Sequence, residues 1–109
     1  MANPGITLGD WLSQISENGV NKALRTRFER EVAGNPFEEY YLECLNSAEA
    51  GNRELRKIGS FAECKKMVDD FDSEGVKLEF KGDVLVFSWW VHRSQEVFPE
   101  WEAPLYIYL

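Results

Sequence analysis

The sequence predicts an α+β fold, with about four helices packed on one face of a small antiparallel sheet that holds a C-terminal β-hairpin and a third strand. Three observations predict it. Apolar residues recur at helical spacing up to residue 73. Strict alternation then takes over at Val76-Lys77-Leu78-Glu79-Phe80-Lys81, before a tight Gly82-Asp83 turn. Beyond that turn, Val84 to Val91 is almost wholly apolar. At 109 residues the chain can bury one core and is too short for two. No repeat or linker divides it, so it reads as one domain, helical over 7–74 and β-rich over 76–109.

Thr7 and Asp10 have capping-box spacing, with Asp in place of the usual Glu or Gln. Leu8, Trp11, Leu12 and Ile15 follow as an apolar stripe, giving a first helix over 8–17 that Asn18-Gly19 stops. Val20, Leu24, Phe28 and Val32 stand four apart and predict a second helix over 20–33, ended by Gly34. Asn35-Pro36-Phe37-Glu38 supplies an N-cap, a proline at N1 and a glutamate at N3. It opens a third helix over 36–50, with Phe37, Tyr40, Tyr41, Cys44, Leu45 and Ala48 facing the core. Residues 52–58 carry no clear period and read as a short helix or a linker. Ser60 and Glu63 form a second capping box for a helix over 61–73, whose stripe is Phe61, Cys64, Met67, Val68 and Phe71 and whose end is marked by Gly75.

A two-residue Gly82-Asp83 loop, type II′ or I′, fixes the hairpin register. It pairs Phe80 with Leu85, Leu78 with Phe87 and Val76 with Trp89, so these residues and Val91 share the face toward the helices. Lys77, Glu79, Lys81, Val84, Val86, Ser88 and Trp90 take the other face. Leu105 to Leu109 alternates again and supplies a third strand, with Tyr106 and Tyr108 on the side of Trp90.

Net charge is −7, from 19 acidic and 12 basic residues, which disfavours nonspecific attraction to nucleic acid or anionic lipid. Met1-Ala2-Asn3-Pro4-Gly5 lacks the basic and apolar regions of a signal peptide, and no stretch approaches a membrane span, so a cytoplasmic location is expected. Cys44 and Cys64 each fall on or near an apolar helix stripe, as buried reduced thiols do.

Several chemistries can be weighed against the residues. Asp70-Phe71-Asp72-Ser73-Glu74-Gly75 resembles the opening of a calcium loop, but the twelfth position, where a bidentate carboxylate belongs, is Lys81. Two cysteines and one histidine in scattered elements do not have zinc-ligand spacing, and no cofactor or metal is implied. Neither cysteine lies in a local catalytic motif with His92, and no glycine-rich phosphate loop is present, so the chain is not expected to be an enzyme. The second helix carries Lys22, Arg25, Arg27 and Arg30, which suggests a nucleic-acid-binding regulator as an alternative. Its bases spread around more than one side, and Arg25–Glu29 and Arg27–Glu31 stand four apart, so the charges can neutralise one another.

The strongest functional signal lies after the hairpin, where Glu96-Val97-Phe98-Pro99-Glu100-Trp101-Glu102 interleaves large rings with carboxylates. Such rings offer much apolar area with a polar tip, as interface anchors do, and the carboxylates would form a charged rim. The predicted partner-binding residues are Trp90, Glu96, Phe98, Glu100, Trp101, Glu102, Tyr106 and Tyr108. Asp69, Asp70, Asp72 and Glu74 form a secondary acidic patch, at some cost because carboxylates oppose the macrodipole at a helix C-terminus. The expected function is non-catalytic: an acidic protein that occludes a basic functional surface of another protein, such as a nucleic-acid-binding protein or a nuclease. In size and charge the chain resembles phage-encoded inhibitors of host defence and immunity proteins that neutralise nuclease toxins, without sharing a motif with any one family. A homo-oligomeric accessory subunit is the third reading, with the aromatic sheet face buried in a homodimer.

Overall fold

A computed structural model describes residues 7–89 of the chain. The order of elements is α1 (Leu8–Asn18), α2 (Lys22–Val32), α3 (Glu38–Glu49), β1 (Glu54–Ile58), α4 (Phe61–Ser73), β2 (Lys77–Lys81) and β3 (Val84–Ser88). The fold is α+β, as the sequence predicts, with four helices and a three-stranded antiparallel sheet in the order β1-β3-β2 among the described residues.

Both capping boxes form. The Thr7 hydroxyl accepts from Asp10 N while the Asp10 carboxylate accepts from Thr7 N, and Ser60 and Glu63 repeat the exchange at α4. The start of α3 differs from expectation. Asn35 does not cap it as an N-cap; its Oδ1 accepts from Phe37 N at 2.7 Å in an Asx turn, and regular helix begins at Glu38. Val20 also departs from the expected stripe, since it lies before α2 and is exposed. The remaining stripe residues, Leu24, Phe28 and Val32, do pack inward.

The hairpin has the predicted register, with Leu78 opposite Phe87 and Phe80 opposite Leu85. Gly82 has φ of 73° and Asp83 has no positive φ, which selects type II′ over type I′. The main correction is β1. Residues 54–58, read as a short helix or linker within the helical part, form a strand that pairs with β3 from Glu54↔Ser88 to Ile58↔Val84, at one edge of the sheet among the described residues. The central strand is therefore β3, whose apolar run suits burial between two neighbours. The strand expected over 105–109, and the expected inward position of Val91, lie outside the described residues.

Core packing runs through an aromatic column. Tyr41 of α3 stacks on Phe71 of α4, with centroids 4.0 Å apart, and Phe71 meets Phe87 of β3 edge-on at 4.9 Å. Leu12, Ile15, Leu45, Met67, Leu85 and Trp89 complete the same cluster. Helices α3 and α4 lie against the sheet at β1 and β2, while α1 and α2 pack on α3. The outermost stripe residue of α4, Phe61, is the exception: it is exposed, with its ring tilted against Phe80.

Candidate functional site

All eight residues of the predicted partner-binding set, Trp90, Glu96, Phe98, Glu100, Trp101, Glu102, Tyr106 and Tyr108, lie outside the described residues. The structure does fix the residue that precedes them. Trp89 is fully buried, its Nε1 donates to Ser16 Oγ at 2.8 Å, and Ser16 Oγ donates to the Asn52 carbonyl at 2.6 Å. Trp89 N donates to the Arg53 carbonyl, and Arg53 pairs with Glu17 at 3.1 Å. The end of β3 is thus tied to the second half of α1 and to the turn before β1.

The secondary acidic patch divides into two kinds of carboxylate. Asp70 is structural: its Oδ2 accepts from the buried Tyr41 hydroxyl at 2.7 Å and from Asn35 Nδ2 at 3.5 Å. Burial and this bond together hold the Tyr41 phenol protonated far above its ordinary range. Glu74 is structural too. Its carboxylate accepts from Leu8 N and its carbonyl from Gly9 N, so it caps α1. At Glu74 the macrodipole cost at the end of α4 is offset, because its charge also sits at the positive N-terminal end of α1. Asp69 and Asp72 remain exposed. Residues 70–73 are helical, so the calcium-loop resemblance ends in a helix terminus rather than a loop.

An accounting of the charges identifies what is left over. Arg25 pairs with Glu29 and Glu49, Arg53 with Glu17, Arg56 with Glu54, and Lys57 with Glu43. Lys77 and Lys81 both reach Glu79. Arg27 lies over the Trp11 ring and Lys65 over the Phe61 ring. Among the described residues, Glu31, Glu38, Glu39, Asp69, Asp72 and Asp83 enter neither an ion pair nor a side-chain hydrogen bond, against three cations, Lys22, Arg30 and Lys66, that make neither an ion pair nor a ring contact. The Asn35–Asp70 contact brings the residues just before α3 beside the second half of α4. In sequence Glu38 has only a helix-opening role, and Glu39 has none. The signal that frees them was present: neither has a cation three or four residues along.

The basic residues of α2 are partly spent. Arg25 is committed to Glu49 on α3, and the Arg25 guanidinium is held further above its usual range by that hydrogen bond. With Arg27 on Trp11, Lys22 and Arg30 are the two α2 cations that make neither an ion pair nor a ring contact among the described residues.

Potential nucleophiles are sequestered. Cys44 is fully buried, and burial pushes its thiol well up from the ordinary value; Cys64 is also buried and shifted upward for the same reason. At the α3–α4 junction Tyr40 Oη donates to Glu63 Oε2 at 2.8 Å, which with burial pushes the phenol up to about 12. Backbone donation from Ser60, joined by Tyr40, holds the Glu63 carboxyl below its usual range. The outer face of the sheet is mixed: Val84 and Val86 run down β3 between Arg56 and Ile58 on one side and Glu79 and Lys81 on the other. No helix among the described residues is long and apolar enough to cross a membrane.

No family model matches the chain, and neither a curated protein nor a solved structure is similar to it.

Proposed function

We propose that this chain is a non-catalytic, acidic protein-binding inhibitor that occludes the basic working surface of another protein. The observation that carries this reading is the uneven charge balance. Most cations of the described residues engage the chain's own carboxylates or rings, leaving Lys22, Arg30 and Lys66, whereas six carboxylates, Glu31, Glu38, Glu39, Asp69, Asp72 and Asp83, are left over. A surface of unspent negative charge raises the association rate with a basic partner and repels nucleic acid and anionic lipid. The partner class follows from the same physics. Nucleases and other nucleic-acid-binding proteins carry basic surfaces because they must meet phosphate, and a cytoplasmic protein that covers such a surface blocks it. The aromatic residues Trp90, Phe98, Trp101, Tyr106 and Tyr108 supply the desolvated anchors in this scheme, with Glu96, Glu100 and Glu102 as their rim.

The test is affinity capture from the native host at low salt, followed by kinetics with the recovered protein. Reversing Glu38, Glu39, Asp69 and Asp72 to lysine should slow association at least tenfold and flatten its salt dependence. Reversing Glu96, Glu100 and Glu102 should act in the same direction. Trp90→Ala or Trp101→Ala should instead raise the dissociation rate while the fold is retained. An association rate that is independent of salt and unchanged by both sets of reversals would overturn the proposal.

A further inference from the structure

We draw no further inference here: the strongest candidate, the exposed Phe61 ring against Phe80 where the start of α4 meets the hairpin end of the sheet, carries nothing because nothing in the structure shows what covers it.

Discussion

Replacing Gly9 with alanine sets two general rules against each other. Gly9 lies in the first turn of α1, where helix propensity alone favours alanine by about 1 kcal/mol. The structure predicts the opposite sign. A Cβ at this position would stand 2.7 Å from Gly75 C and 2.9 Å from Glu74 O, with Gly75 O closer still. All three are backbone atoms of the turn between α4 and β2, so no side-chain rotation can relieve the overlap. Either α1 or the turn must move by about an ångström, a strain of the overpacking kind worth about 1–3 kcal/mol. That displacement also loosens the Gly9 N–Glu74 O hydrogen bond, now 2.7 Å, at about 1 kcal/mol. After the propensity gain is subtracted, Gly9→Ala should lose about 2 kcal/mol net.

Urea denaturation followed by circular dichroism measures this directly, and the melting temperature should fall by about 8–16 °C for a domain of this size. Gln14→Ala, on the exposed side of the same helix, is the control and should change stability by less than about 0.5 kcal/mol. A Gly9→Ala variant as stable as the parent, or more so, would mean that α1 does not dock on the 74–75 backbone. The capping role of Glu74 would fall with it.

Tyr41→Phe should cost about 1–2 kcal/mol, since it removes the donor to a carboxylate that remains in place; a double-mutant cycle with Asp70→Asn that gives zero coupling would refute the link. Trp89→Phe and Ser16→Ala should couple by about 1 kcal/mol in a second cycle, and additive effects would show that the Nε1 bond does not anchor the end of β3. Tyr40 has a folded-state pKa raised from 10 to about 12, so its contribution to stability is fully present below pH 10 and is lost as pH rises toward 12. The difference between ultraviolet titrations of the parent and Tyr40→Phe should therefore have its midpoint near 12, whereas a midpoint near 10 would contradict the Glu63 contact. Cys44 and Cys64 should resist a disulfide thiol reagent in the native state and react promptly in denaturant, and a fast native reaction would show the burial to be wrong.

The helices and hairpin were legible because their signals are local. Thr7 and Ser60 announce α1 and α4 through side chains that bond within three residues, and Gly82-Asp83 sets the β2–β3 register without help from elsewhere. Strand β1 was not legible, and its residues show why. Its inward side holds Leu55 and Lys57, and its outward side holds Glu54, Arg56 and the exposed Ile58, so hydrophobicity does not alternate along it. Lys57 can point inward because its ammonium reaches Glu43 at 3.1 Å and lies over the Tyr40 ring, contacts supplied by α3. The strand exists because β3 offers it a ladder, and that is a tertiary fact.

The same distinction governs the candidate site. Sequence places Asp69, Asp70, Asp72 and Glu74 together as equal carboxylates, but tertiary structure spends two of them. Asp70 answers the buried Tyr41 hydroxyl, and Glu74 answers the unpaired amides that open α1. Conversely, Glu43 and Glu49 lose their availability to Lys57 and Arg25 across element boundaries that the sequence does not reveal. What survives, Glu31, Glu38, Glu39, Asp69, Asp72 and Asp83, is a remainder rather than a motif. A remainder can be found only when every partner has been assigned. It follows that reversing Asp69 and Asp72 should alter association without much effect on stability, whereas reversing Asp70 and Glu74 should destabilise the fold first. If the two pairs behaved alike, the separation of structural from available carboxylates, and with it the charge balance behind the proposed inhibitor, would be wrong.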